Sequence, residues 1–555
     1  MGAFILSNKK IPDDVLKSKG HKTIDNFRKG HFYLTIAKKI NIENNNCLCF
    51  ENGDFIIGLG TFVYKEVACS RALIEIYNDF EDTSLKEEIW GHYAMVIKKG
   101  EKVYIFCDRG GLFRIFYHKD GQGNYCVSSS YLSVVSSIAN PKFDKINLAA
   151  YINGIECPFI EDINVLKGKD ILVVSEDGHI DFVKKQELDK PEPILDESMA
   201  ISYVRRLLLN QIEKIRILSK ELNCPVSSEL TGGLDSRLIA CLVKNSNIEY
   251  DLVNYPLNGK DKTCADLVAN EVGKVVVTID NHPIPFNDIG EHFGEFELGF
   301  NYFRHYPRIS WNYPNPIQLN GFRGEGLSTY PFMDKDKTFT ISKHLEKKLS
   351  LLVRKKIKDE YIKRQEAMLT DNGFALNKYL DSYEQNMYSL YIFGTEMDGS
   401  FISAQNTFIY FISLYAEYNF YHALSAVENN IKRERRLEIK LIKEIDKRLA
   451  NIRFSSHMRN EGQSVNDVEF IKDRVYTNSK PFIPDILLNT LYKRRSSQNY
   501  RINLTKMRQE IISGGGKYTG LINVRKILNY PYLYKNNMER LTSVELLRRK
   551  YNISF

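Results

Sequence analysis

The sequence predicts an α/β protein in two parts. Residues 1–190 are β-rich, and residues 196–555 are built on a parallel sheet and end in a helical region. Three observations predict this. Short β-branched and aromatic runs such as "DFIIGLGTFVY" (Asp54–Tyr64), separated by Gly, Asp and Lys turns, fill the first part. "LDKPEPILDES", with two prolines and four acids, then has the composition of a linker. Beyond it, strand-like and helix-like runs alternate in the β-α-β-α-β order of a parallel sheet with covering helices.

Taken in order, "HYAMVIKKGEKVYIFCDRGGLFRIFYH" contains strands that return through "KKG", and "KDILVVSEDGHIDFVKK" a hairpin that returns through "EDG". "ESMAISYVRRLLLNQIEKIRILSKEL" carries helical periodicity. "CPVSSEL" is extended, "SRLIACLVKN" helical, "EYDLVNYP" a strand, "TCADLVANEVG" a helix and "KVVVTID" a strand. From Ser342 onward the chain is mostly helical, with amphipathic stretches around Lys347–Met368 and Glu428–Leu449. "ISGGGKYTG" marks a flexible loop before a last helical piece.

Composition narrows the function. Of 555 residues, 43% are hydrophobic and 26% charged, the balance of a soluble protein with a large core. The net charge of +8 is dispersed, and Lys432-Arg433-Glu434-Arg435-Arg436 reads as a solvated helix face rather than a nucleic-acid patch. No apolar run approaches a membrane span and no signal peptide is evident. "MGAFIL" has Leu6 where a myristoylation site needs Ser or Thr. The nine cysteines form no C-x-x-C pair and the eleven histidines no ligand spacing. The expectation is a cytoplasmic protein with reduced thiols, no transition metal, and neither a nucleic-acid nor a membrane partner.

The stretch "LTGGLDSR" lies where the first strand of the second part turns into a helix. Gly232 and Gly233 let the backbone approach a ligand, the helix points its positive end there, and Thr231 and Ser236 add hydroxyl donors. Asp235 would repel a bare phosphate, but it fits a site in which Mg²⁺ lies between carboxylate and phosphates. These residues predict a cradle for a polyphosphate.

"LTGGLDSR" also resembles the pyrophosphate (PP-) loop of the asparagine synthetase family, S-G-G-x-D-S. The family includes β-lactam synthetases, lasso-peptide macrocyclases and amidotransferases acting on glycans and natural products. "GHYAMVIKKGEKVYIFCDRGGLFRIFY" and "YINGIECPFIEDINVLKGKDILVV" resemble its N-terminal glutaminase-type domain. Asp261, Ala265 and Ala269 fit its next helix, and "QLNGFRGEGLSTYP" sits where it has a second acidic loop. The resemblance implies an N-terminal Ntn-type αββα sandwich followed by a PP-loop ATPase domain. It also implies ATP and Mg²⁺ as cofactors, with Asp235 and Glu325 as the catalytic and metal carboxylates. Ser228, Leu230, Thr231, Gly232, Gly233, Leu234, Ser236, Val253, Asn254 and Gly321 would then hold ATP and its pyrophosphate.

The sequence departs from that family in four places. Phe322 occupies an acidic position of the second loop and Gly326 replaces its final Glu. The E-x-R-x-P-F-L-D motif survives only as "LYAEYNFYHALS", and the phosphate-contacting Lys has candidates in Lys443, Arg459 and Lys480. Position 2 is Gly, where the family's glutaminases begin with Cys, a residue that supplies both a thiolate and its own amine base. Neither Cys47 nor Cys49 has an attached amine, so an inactive glutaminase fold is expected.

The expected function is an AMP-forming amide ligase that adenylates a small-molecule, peptide or glycan carboxylate and passes it to an amine, without glutamine hydrolysis. Macrolactam closure, glycan or natural-product amidation, and non-catalytic nucleotide binding are the alternatives, with partner proteins of a biosynthetic cluster possible. Arg304, His305 and Arg308 in "FGEFELGFNYFRHYPRISWNYPNP", together with Phe322, are candidates for the substrate pocket.

Overall fold

The computed structural model describes residues 1–29, 31–81, 83–175, 177–255, 259–279, 297–299, 315–328, 340–350, 352–452, 498–514, 517–531 and 533–555. The first part contributes β1 (Ala3–Ser7), β2 (Ile24–Lys29), β3 (Phe32–Ala37), β4 (Cys47–Cys49), β5 (Phe55–Tyr64) and β6 (Val67–Ala68). It continues with β7 (Trp90–Lys99), β8 (Lys102–Cys107), β9 (Phe116–Lys119), β10 (Tyr125–Ser128), β11 (Asn164–Val165), β12 (Asp170–Ser175) and β13 (Ile180–Lys184).

These strands form two antiparallel sheets, β11-β9-β10-β1-β3-β2 and β13-β12-β8-β7-β5-β4, with β6 beside β5. The hairpins expected at "KKG" and "EDG" are β7–β8 and β12–β13. Because strand side chains alternate between faces, Phe4, Leu6, Leu34 and Ile36 of one sheet meet Ile57, Leu59, Val96 and Ile105 of the other. After the short α1 (Asp14–Ser18), α2 (Cys69–Asp79) buries Ala72, Leu73 and Ile76 on the outer face of the second sheet. On the outer face of the first, α3 (Tyr131–Ser136) packs Val134 and Val135 near Ile5 and Phe116. The layers therefore run α-β-β-α.

Following α4 (Lys145–Ile152), the long α5 (Glu197–Leu222) is capped by Asp196, which accepts from the Met199 N–H, and stops at Asn223 in the left-handed conformation. Then come β14 (Val226–Glu229), α6 (Leu234–Lys244), β15 (Tyr250–Asn254), α7 (Gly259–Glu271), β16 (Val276–Thr278), β17 (Ile317–Asn320) and β18 (Tyr410–Ser413). All neighbours in the sheet β16-β15-β14-β17-β18 are parallel. Val226, Leu252, Ile317, Leu319 and Ile412 pack with α5, α6 and the helix Arg436–Ile445. On the opposite face, Ser227, Glu229, Gln318 and Asn320 are buried polar residues.

Two helical expectations need correction. The stretch Lys347–Met368 is split between the helices Ile341–Lys348 and Lys355–Asp371, and Arg354 N–H donates to Leu521 O in the gap. The stretch Glu428–Leu449 is broken at Glu434 and Arg435, which adopt φ of 56° and 60°. Residues 515–516 of the glycine loop lie outside the described residues.

The sandwich and the parallel sheet share their cores. Val63, Ala68 and Trp90 pack in one apolar cluster with Val204, Leu208 and Ile412, while Leu112, Phe116 and Tyr131 join Phe401 and Phe411 in another. Polar ties cross the same boundary: the Lys39 ammonium donates to the carbonyls of Asn406 and Ile409, and the Thr61 hydroxyl to Asn406 Oδ1 at 2.7 Å. All nine cysteines are free thiols. Among the described residues no helix is long and apolar enough to cross a membrane.

Candidate functional site

The sheet order reverses between β14 and β17. The chain leaves β14 toward β15 on one side, and it leaves β17 toward β18 on the other. Loops that follow neighbouring strands in this way diverge and leave a crevice at the carboxyl ends, the place where open α/β sheets bind ligands. "TGGLDS" and "GFRGEG" are the two loops at this crevice.

The first loop is tightly held. Leu230 N–H donates to Val253 O at 2.8 Å, and the Asn254 side-chain amide donates to Leu230 O. Ser236 Oγ accepts from the Thr231 N–H at 3.0 Å and lies 3.0 Å from Thr231 Oγ1. Gly233 N–H donates to Thr231 Oγ1 at 3.3 Å, and extended Gly233 caps α6 without a side chain of its own. Leu230, Leu234, Ser236, Val253 and Asn254 are all buried. Ser228 Oγ and Asn254 Oδ1 are buried without a hydrogen-bond partner, leaving two polar groups at the carboxyl ends of β14 and β15.

The second loop presses against the first. A Cβ on Gly324 would lie 2.1 Å from Asp235 Oδ1, and one on Gly321 would lie 3.0 Å from Ser236 N. Asn320 fixes the loop's start: its amide donates to Glu229 Oε2, and its Oδ1 accepts from the Phe322 N–H at 2.6 Å. Arg323, at φ 68°, turns inward to a buried ion pair with Asp398. The Phe322 ring lies 5.3 Å from that of Phe401, and Ser413 Oγ donates to Phe322 O. Glu325 falls within the 3₁₀ turn Gly324–Leu327.

Asp235 is met from the third side by Arg435, whose Nη1 lies 3.3 Å from Asp235 Oδ1 and 3.3 Å from Glu438 Oε2. The Tyr415 hydroxyl donates to Asp235 O at 2.9 Å. Arg435, Tyr415, Glu438, Asn320 and Glu229 were not identified from sequence. Arg435 stood inside the mixed-charge run read as solvated helix, and only the left-handed pair Glu434–Arg435 turns it toward the loop. Lys443 is exposed on the following helix, while Arg459 and Lys480 lie outside the described residues. Arg304, His305 and Arg308 also lie outside them.

The residues present fit a magnesium polyphosphate. Asp235 supplies a hard oxygen donor, Arg435 a guanidinium suited to phosphate oxygens, and Gly321 and Gly324 let the second loop come directly against the first. Among the described residues no group of three or more His, Cys, Asp or Glu could hold a metal by itself.

At the start of the sandwich, the Met1 ammonium donates to Gly58 O at 2.6 Å, and burial pushes its pKa down to about 4. A Cβ on Gly2 would lie 2.9 Å from both His21 Cε1 and Lys38 O, so position 2 has no room for a side chain. Burial pushes the nearby Cys47 thiol up to about 12 and raises Cys69 as well, so both are protonated at neutral pH.

No family model and no curated protein matches the chain. Among solved structures, it is similar to the glutamine phosphoribosylpyrophosphate amidotransferase of B. subtilis complexed with ADP and GMP, at 11% identity and TM-score 0.24. That match covers 50% of this chain and 66% of the other, so the chain spans just under two thirds of that protein's length. It is also similar to a structure titled as the allosteric regulatory enzyme of purine biosynthesis, at 11% identity and TM-score 0.24, over 53% of this chain and 77% of the other. A TM-score of 0.24 is too low to transfer a fold, and the architecture rests on the strand orders given above.

Proposed function

We propose that this protein is an ATP-dependent amide ligase of the asparagine-synthetase type, working at the crevice between the two glycine loops. The observation that carries the proposal is the contact of Gly324 and Arg435 with Asp235. It brings a carboxylate, a guanidinium and two glycine-containing loops together at the carboxyl ends of adjacent parallel strands.

In this reading a substrate carboxylate oxygen attacks the α-phosphorus of ATP, and the bond to pyrophosphate breaks. An amine then attacks the acyl carbon, loses a proton, and expels AMP. Mg²⁺, when bound, neutralises charge on the phosphate oxygens. Asp235 would hold the metal, and Arg435, beside it, would pair with phosphate oxygens. The loop N–H groups of Thr231 to Gly233 and the Ser236 hydroxyl orient the leaving group. Asn320 and the Arg323–Asp398 pair position the second loop. The amine arrives directly, as part of the substrate, as a second substrate or as ammonia, because position 2 offers no nucleophile and Cys47 and Cys69 stay protonated.

ATP–pyrophosphate exchange with a panel of carboxylic acids, together with calorimetric titration of Mg-ATP, tests the proposal. Exchange that depends on one acid and disappears in Asp235→Ala supports it. Absence of Mg-ATP binding refutes it, and binding without exchange by any acid favours the non-catalytic nucleotide-binding reading.

A further inference from the structure

We propose that a cavity at the opposite end of the parallel sheet from the glycine loops binds a small anion carrying two or more negative charges, of the phosphorylated or polycarboxylate kind. The cavity has a volume of about 650 Å³, within the range of small-molecule sites, and is lined by Lys22, Lys38, Lys39, Asn41, Glu43 and Asn315 among others. Three lysines thus face one carboxylate. Among the described residues, no carboxylate lies within ion-pair range of Lys22 or Lys38.

Lys39 lies buried in the cavity wall. Its ammonium donates to the carbonyls of Asn406 and Ile409 and stands 4.7 Å over the Tyr410 ring. Burial, with no counter-charge among the described residues, pushes the Lys39 pKa down to about 7, so at neutral pH it carries only part of a positive charge. The positive charge that would hold an anion in the cavity is therefore that of Lys22 and Lys38, which line it and, among the described residues, have no carboxylate of their own.

The place also matters. Pro316 and Ile409 line the cavity at the entry to β17 and β18, while Gly321 begins the second loop at the exit of β17. One strand length, roughly 16 Å, separates the two sites. The cavity wall is itself a seam between the sandwich and the parallel sheet. Ile40 N–H donates to Thr407 O at 3.0 Å and Asn41 N–H to Phe408 O at 3.2 Å. An anion bound here draws the 38–43 segment and the sheet edge together, and so stabilises the seam by mass action.

The test is calorimetric titration of the full chain in magnesium-free buffer with two probes, inorganic tripolyphosphate for the phosphorylated source and citrate for the polycarboxylate. Saturable binding of at least one is expected, and the probe that binds identifies the source. Lys22→Glu combined with Lys38→Glu should weaken it at least about tenfold, whereas the charge-matched change Lys355→Glu with Lys356→Glu, at exposed helix positions away from both sites, should leave that isotherm unchanged. Lys22→Ala with Lys38→Ala serves if the charge reversal fails to give a wild-type melting profile. Binding that is unaffected by the Lys22 and Lys38 changes, binding that Lys355→Glu with Lys356→Glu weakens equally, or no binding of either probe into the millimolar range would overturn the proposal. Because neither probe requires the ligase reaction, the outcome is independent of the proposed activity.

Discussion

Asp235 is contacted from three directions: by Gly324 of the second loop, by Arg435 in the left-handed break, and by Tyr415 at its backbone carbonyl. Its side chain is partly exposed and lies outside the apolar core, so removing the carboxylate should spare the fold. Asp235→Ala is expected to lower AMP formation at least about a hundredfold while leaving the melting temperature near wild type. Rapid-quench measurement of AMP beside a melting curve checks both halves, and near-normal AMP output contradicts the metal assignment. Arg435 plays a different part: it pairs with Asp235 and with Glu438, and in the proposed mechanism it pairs with phosphate once ligand is bound. Arg435→Ala should weaken pyrophosphate binding about tenfold or more, with partial rescue by Lys, which keeps the charge but not the planar fork. Titration of pyrophosphate with Mg²⁺ against the three proteins reads this directly, and equal affinity in Arg435→Ala would remove Arg435 from the site.

At the scale of elements, the site depends on how closely two turns approach. A methyl group at position 324 would overlap the Asp235 carboxylate, so Gly324→Ala must displace the second loop, the aspartate or both. Overpacking of this kind costs about 1–3 kcal/mol, and here the displaced group is functional. Gly324→Ala should therefore lose most AMP formation with a modest fall in melting temperature, and full activity would show that the loops are not packed in this way during turnover. The strands, α6 and the "TGGLDS" turn were legible in the sequence because they follow from local signals: period, β-branched runs and paired glycines at a strand-to-helix junction. Arg435 was not. Its role comes from two non-glycine residues held at positive φ by surrounding packing, and no local pattern announces that conformation. Asn320 and Glu229 were hidden for a related reason, since their pairing needs β14 and β17, far apart in sequence, to lie side by side.

Across the whole molecule, the sandwich and the parallel sheet are joined by shared apolar clusters and by buried polar groups that titrate out of their usual range. Glu417 caps the helix Tyr418–Leu424, accepting from Phe420 N–H at 2.9 Å, and burial pushes its pKa up to about 7. With a folded pKa above the unfolded value, its contribution to stability is full at low pH and is lost as pH rises through about 7. His92, against Ser413 of β18, is pushed down to about 4 by burial, so its contribution is full above its ordinary pKa and is lost as pH falls toward about 4. Glu417→Gln keeps the capping oxygen and should gain on wild type by up to about 3 kcal/mol between pH 4.5 and 7. Denaturant melts across that range check it, and parallel curves for the two proteins would place Glu417 outside the linkage.

The same continuity predicts that deleting residues 1–190 yields insoluble protein rather than a separable ligase. It also accords with a sandwich that packs rather than catalyses. Glutamine carrying ¹⁵N in its side-chain amide should give neither glutamate nor labelled ammonia, and turnover lost on changing Cys47 or Cys49 would assign the sandwich an activity of its own. The central claim is that the crevice splits ATP at the α-phosphate. Phosphorus NMR of the products formed from ATP, Mg²⁺ and the acid that supports exchange tests it most directly. AMP and pyrophosphate in equal amounts, both absent with Asp235→Ala, are the predicted result; ADP with inorganic phosphate would contradict it.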